Sequence, residues 1–146
     1  MALTKDAIKS AYPLPSYNYK VIFGSDTLSF SEVSGLDIEY EKVVYKHGFS
    51  FLTGSNIIRA QRNAITITLK RGIVAKRNDL YAWMTSKAVK DVSIDLCDEV
   101  GNPVIRWKVS KAQPLKIEGP SLNANGNDIA LESVTLVAQG LNMEYF

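Results

Sequence analysis

Few side chains in this sequence are of types that do covalent or acid–base chemistry. His47 is the only histidine and Cys97 the only cysteine. One of each cannot assemble a His/Cys zinc site. His47 stands beside Gly48 in a turn-like stretch and reads as a surface residue. Cys97 falls on the face opposite Val92, Ile94 and Leu96 and adjoins Asp98. A neighbouring carboxylate disfavours the thiolate, so a packed, inert thiol is expected. Glu39 and Glu41 lie two apart on one strand face, a spacing that permits general acid–base work. With Lys42 and Lys46 close by, the same pair serves equally well as contact charges. Asp95 and Asp98 form a second acidic pair. Asp98, Glu99 and Asn102 lack calcium-loop spacing, and no Gly-rich phosphate loop occurs. The sequence therefore predicts no catalytic residue, no metal site and no cofactor.

The unusual material is apolar and sits between strands. Tyr45 to Gly54 (YKHGFSFLTG) carries three aromatics and two glycine punctuators, and Ser55 to Arg62 follows. A long connection of this kind exposes Phe49, Phe51 and Leu52 unless they fold back on the core. Exposed apolar patches on soluble proteins usually mark partner surfaces.

These residues must be positioned by short alternating segments. Tyr17 to Phe23 reads as a first strand and Thr27 to Val33 as its return. Ile38 to Tyr45 alternates next. In Ala64 to Arg71, Ile65, Ile67 and Leu69 point one way and Thr66, Thr68 and Lys70 the other, the mark of a half-buried strand. Asn78 to Lys87 breaks the pattern. Asn78 is placed to cap a helix, Asp79 favours its first turn, and Leu80, Trp83 and Met84 make one apolar stripe that Tyr81 widens. Strands resume at Val92 to Leu96, then Pro103 to Ser110 after a turn at Asp98–Asn102. Ala112 to Ile117, Ile129 to Ala138 and Leu141 to Tyr145 complete the set, with a polar loop at Ser121–Asn127. The expected fold is mainly β: a single β-barrel of two packed antiparallel sheets with one short flanking α-helix, about eight to ten strands in all.

The chain has 146 residues, 46% of them hydrophobic and 22% charged. That composition excludes disorder and coiled coil and suits one domain spanning 1–146. The 17 basic and 15 acidic residues leave a net charge of +2. The basic residues are scattered, so no specific nucleic-acid motif is present. No apolar run approaches the ~20 residues of a membrane span. The first residues, MALTKDAIKSAYPLP, lack the apolar core of a secretory signal. A cytoplasmic product is expected.

The runs YPLPSYNYKVIFG, FSEVSGLDIEYEKVVYKHGFSFLTG, AQRNAITITLKRG and NDLYAWM, with GNPVIRWKVSKAQPLKI, SLNANGNDIALESVTLVAQGL and LNMEYF, resemble the inner tube proteins of contractile injection systems. The likeness covers nearly the whole chain. It implies a tail-tube fold, six copies in a ring, and rings stacked into a rigid hollow tube. A sheath protein would surround that tube, baseplate or spike hub proteins would seat it, and effector cargo would occupy its lumen. Phage DNA would pass there instead if the particle is viral. The product would then end in a phage-tail-like particle or virion, outside the cell after release. The segment at about 45–62 corresponds to an extended inter-subunit loop of the family. Tyr45, His47, Phe49, Phe51, Leu52, Arg59, Gln61 and Arg62 are the expected contact residues. Glu39 and Glu41 are the expected cross-subunit charges for Arg59 or Arg62, each exposed pair contributing ~0–1 kcal/mol. Two alternatives accompany this reading: a first-ring paralogue joining spike and baseplate to the tube, suggested by IIRAQR at 57–62, and a small flavin-binding split-barrel enzyme.

Overall fold

A computed structural model describes residues 13–46, 48, 54 and 56–146 of the chain. Ten strands and one helix are present among them. These are β1 (Tyr19–Phe23), β2 (Asp26–Leu28), β3 (Glu32–Ser34), β4 (Tyr40–Tyr45), β5 (Asn56–Arg62), β6 (Ile65–Gly72), α1 (Asp79–Ser86), β7 (Lys90–Cys97), β8 (Pro103–Glu118), β9 (Leu131–Ala138) and β10 (Gly140–Tyr145). All pairings are antiparallel. The fold is mainly β, as the alternation predicts.

Strand β8 organises the body. Its first half pairs with β7 on one side and β10 on the other, and its second half pairs with β9. One sheet thus runs β2–β1–β7–β8–β10 and the other β8–β9–β6–β3. The sequence reading splits this strand at Lys111, whereas the structure runs it through. Lys111 takes a left-handed φ of 53° at the corner where β8 changes sheets. There the register against β7 slips by one residue, as in a β-bulge, and the Asp91 carboxylate accepts the Lys111 N–H at 3.1 Å. A bulge bends its strand and re-aims the chain.

The expected second strand, Thr27 to Val33, is instead two. Strand β2 ends on the first sheet and β3 begins on the second, so the chain crosses the seam at Ser29–Ser31. The hydrogen-bonded path itself does not close, since β2 and β3 are its ends. Side chains bind that seam: the Tyr19 hydroxyl donates to the Phe30 carbonyl at 2.6 Å, and the Phe23 and Phe30 rings lie 5.9 Å apart. Gly35 follows at φ 90°. A Cβ there would lie 2.2 Å from the Thr66 carbonyl oxygen, so only glycine permits this approach to β6.

Ile65, Ile67 and Leu69 are buried as expected, against Val21, Val92, Ile94, Val109, Val134, Leu136 and Leu141. Arg71 continues their phase and is also buried. Its Nε donates to Glu132 at 2.7 Å and its guanidinium forks onto Asp79, the first residue of α1. This pair fastens the helix to β6. The Asn78 side chain makes no capping bond, and Asp79 answers to Arg71 as well as to the helix dipole. Leu80 and Trp83 bury the stripe. Met84 is half-buried, and Tyr81 stays 66% exposed and does not widen the stripe. Trp83 packs edge-on against Phe23 at 5.3 Å and donates to the Ala88 carbonyl at 2.8 Å.

Candidate functional site

Strands β4 and β5 form a two-stranded sheet of their own. Residues 56–62, placed by the sequence reading in an extended loop, are therefore strand. The reason is compositional: Ile57 and Ile58 are β-branched and stand in register with Val44 and Val43. Because neighbouring residues of a strand face opposite ways, Val44 and Ile57 occupy one face and Val43 and Ile58 the other. Both faces are open. Val43 is 50% exposed, Val44 48%, Tyr45 52%, Ile57 72% and Ile58 53%. Among the described residues, the outer half of the hairpin is thus an apolar ribbon with no core beneath it.

The Asn63 N–H donates to the Glu39 carbonyl at 2.8 Å, closing the base of the hairpin, and Arg62 ties that base to the body by donating to the Leu141 carbonyl of β10. The register slips between Tyr40 and Lys42, opposite Arg62 and Arg59. That slip lets the Arg59 guanidinium lie 3.8 Å over the Tyr40 ring, a cation–π contact. Arg59, Gln61, Glu39 and Glu41 are all exposed around this base. The structure thus brings Tyr45, Arg59, Gln61, Arg62, Glu39 and Glu41 onto one projecting element. His47, Phe49, Phe51 and Leu52 lie outside the described residues. Sequence reasoning passed over Val43, Val44, Ile57 and Ile58 as contact residues. Their signal was present as β-branched pairs facing each other across the expected tip.

The acidic pair Asp95/Asp98 does not act as a unit. Asp95 is 2% exposed and takes a two-pronged bond from Arg106, at 2.7 and 2.9 Å. This charge-assisted contact raises the Arg106 pKa further. Asp98 turns the β7–β8 hairpin, one oxygen accepting the N–H groups of Val100, Gly101 and Asn102 at 2.9–3.0 Å. Cys97 is buried, its Sγ 3.7 Å from the Asp95 carbonyl oxygen. Among the described residues no three His, Cys, Asp or Glu side chains cluster as metal ligands, and no helix is long and apolar enough to cross a membrane.

A second feature lies on the first sheet, on the face away from the core. Register aligns Lys20, Asp95, Arg106 and Glu144 in one row across β1, β7, β8 and β10. Lys108 closes on Glu144 at 2.6 Å beside it. The row alternates in sign, so a wide polar face carries little net charge.

Comparison with known proteins gives the family and the fold. The sequence pattern of the family described as T4-like virus tail tube protein gp19 matches residues 15–142. A chain of the PVC sheath–tube complex, an extracellular contractile injection system in its extended state, is 31% identical. It aligns with TM-score 0.90 over 99% of this chain and all of its own. A chain of the anti-feeding prophage tube-terminating cap is 33% identical, with TM-score 0.87 over the whole of both chains. Hcp1 from Flavobacterium johnsoniae shares the fold alone: 16% identity and TM-score 0.59 over 89% of this chain and 97% of its own. A comparison with curated proteins finds no match.

Proposed function

The chain belongs to the T4-like virus tail tube protein family, and we propose that its β4–β5 hairpin is the element through which copies of it join into a tube. It is a tail tube protein of contractile injection systems. The domain spans 1–146, six copies close a ring, and rings stack into a conduit. A sheath protein encloses that conduit, baseplate or spike hub proteins seat it, and effector cargo occupies the bore. The chain's part in this is structural, with no catalytic step. The alternatives are not favoured: likenesses above 30% identity include a sheath–tube complex, a tube-terminating cap and a sheath/tube terminator, and the family is one of tail tube proteins.

The observation that carries this reading is the hairpin. Two strands in isolation are marginal in water, and this pair is apolar on both faces. Covering each face with a neighbouring copy removes Val43, Val44, Tyr45, Ile57 and Ile58 from water, at ~1.5–3 kcal/mol for each fully buried large side chain. The polar row Lys20–Asp95–Arg106–Glu144 supports a second assignment. A four-stranded outward face that is polar and near neutral suits the wall of a wet bore, and its edges gain partners if the sheet continues from copy to copy.

Light scattering and negative-stain microscopy of the purified chain test the reading. Ring-sized particles that lengthen into tubes with concentration are expected. A monodisperse monomer at every concentration would refute it.

A further inference from the structure

Arg59 and Arg62 are the cations the sequence offers to Glu39 and Glu41, but both are engaged within the chain. Arg59 lies over the Tyr40 ring, and Arg62 donates to the Leu141 carbonyl. The acids at the hairpin base are left for another cation. Asp37 and Glu39 line a hollow of about 190 Å³ with Gly35, Asn63 and Ile65, the space of roughly six waters. That is room enough for a guanidinium head group, and no cation lines the hollow. Glu41 stands exposed two residues further on, and Lys42, the next cation along β4, faces the opposite side of the strand. Among the described residues, the Asp37, Glu39 and Glu41 carboxylates have no hydrogen-bond or ion-pair partner.

The complementary cations lie at the far end of β6. That strand starts at Ile65, in the wall of the hollow, and ends at Gly72, about 23 Å away at ~3.3 Å per residue. The loop that follows exposes Ile73, Val74, Lys76 and Arg77. It has a defined shape: Lys76 takes a left-handed φ of 65°, and the Arg77 N–H donates to the Val74 carbonyl at 3.3 Å. Among the described residues, Lys76 and Arg77 have no acidic partner, and the nearest acid in sequence, Asp79, is forked by Arg71. Apolar side chains accompany the charges at both ends. Ile38 is 41% exposed among the acids, and Ile73 and Val74 are 49% and 54% exposed beside the cations. When identical copies stack in one orientation, each contact joins one end of a copy to the other end of the next. These two ends match in sign and in apolar content.

Building on the tube reading, we infer that the Asp37–Glu39 hollow receives the Lys76–Arg77 loop of a second copy of this chain stacked next to it along the tube axis, with the Arg77 guanidinium at the two carboxylates. Ile73 and Val74 cover Ile38 in the same contact. Stacking then has a polarity written into the subunit, since acid meets cation only when copies point the same way. Charge pairs of this kind select partner and register more than they add affinity.

Charge reversal tests this on the full chain. Lys76→Glu with Arg77→Glu turns the loop acidic, and an acid just before α1 suits the helix dipole. Asp37→Lys with Glu39→Lys turns the hollow basic. A twofold loss at each contact compounds over the six contacts of a joint between rings to about 60-fold. Each reversed pair alone should therefore raise the concentration needed for rings to stack by more than about tenfold. The loop pair should retain single rings and melting temperature, and the hollow pair its melting temperature. Arg77→Gln should give a smaller rise, and its stacking should respond less than that of wild type to sodium chloride between about 0.05 and 0.5 M. All four reversals together should restore stacking to near the wild-type concentration. Reversed pairs that stack like wild type, or a fourfold variant no better than its worse half, would overturn the hollow assignment alone. A wild-type chain that forms no ring at any concentration would overturn the tube reading itself.

Discussion

Replacing Ile57 and Ile58 together by aspartate should abolish tube formation and leave the body folded. The two side chains point to opposite faces of the hairpin, so the change addresses both covers at once. Burying an isoleucine completely is worth ~1.5–3 kcal/mol. Ile57 and Ile58 are 72% and 53% exposed, so most of that energy is available only on assembly. The pair then contributes about 2–4 kcal/mol per hairpin, a 30- to 1000-fold change in each docking equilibrium. Burying the new carboxylates costs more still. Because every subunit of a ring carries the same lesion, the loss multiplies around the ring. Neither residue belongs to the core cluster, so circular dichroism and melting temperature should stay near wild type while tubes vanish from micrographs. Ile57→Thr with Ile58→Thr keeps β-branching and should give a partial loss, which separates lost burial from a weakened hairpin. Full-length tubes from the aspartate pair at wild-type concentration would refute the assignment.

Trp83→Ala should destabilise the body by ~3–5 kcal/mol, because it empties the contact with Phe23 and strands the Ala88 carbonyl; an unchanged melting temperature would contradict the packing described. Gly35→Ala should yield insoluble or unfolded protein on expression, since its Cβ would meet the Thr66 carbonyl oxygen at 2.2 Å. Lys111→Gly should raise the melting temperature slightly, by relieving a left-handed conformation that costs a non-glycine residue ~1–2 kcal/mol, against the added freedom of the unfolded chain. The Arg71 guanidinium holds the Asp79 carboxyl below the usual carboxylate range. A folded pKa below the unfolded value, ~3.9, means stability present above that value and lost as pH falls through the folded one. The melting temperatures of wild type and Asp79→Asn should therefore differ at neutral pH and converge in acid.

The body was legible where alternation is clean. Ile65, Ile67 and Leu69 declared their face because each odd position is β-branched or leucine and each even one polar. Leu80 and Trp83 declared the helix in the same way. What the pattern could not carry was the crossing of sheets. Thr27 to Val33 alternates as one strand, but its two halves pair with partners on different sheets, a fact set by contacts with β1 and β6. Lys111 reads as an ordinary polar position, and only the backbone shows the turn it makes. Arg71 and Asp95 were hidden for other reasons. A charged residue at a core phase, as Arg71 is, looks like the end of a strand until its partner Asp79 is seen beside it, and Asp95, on the outward face, reads as solvated until Arg106 is seen to cover it. At the candidate site, the aromatic content of 45–54 drew attention to the right segment, while Ile57 and Ile58 were absorbed into a loop because their pairing partners lie across that segment.

The two parts of the molecule divide the physical work. In the body, the ionisable groups that burial would penalise are paired within the chain: Arg71 with Asp79 and Glu132, Asp95 with Arg106. Such pairs hold geometry more than they add stability, and they leave the body complete without a neighbour. The hairpin is the reverse. Among the described residues it has no core and no sheet beyond its own two strands, and its cross-strand pairs Val43–Ile58 and Val44–Ile57 cover each other only edge to edge. Each docking hairpin therefore draws its free energy from a surface that another copy supplies. Arg62 sits at the junction of the two parts, donating to the Leu141 carbonyl in the body. The body thus sets where the hairpin root stands, and a neighbouring copy supplies what covers its strands.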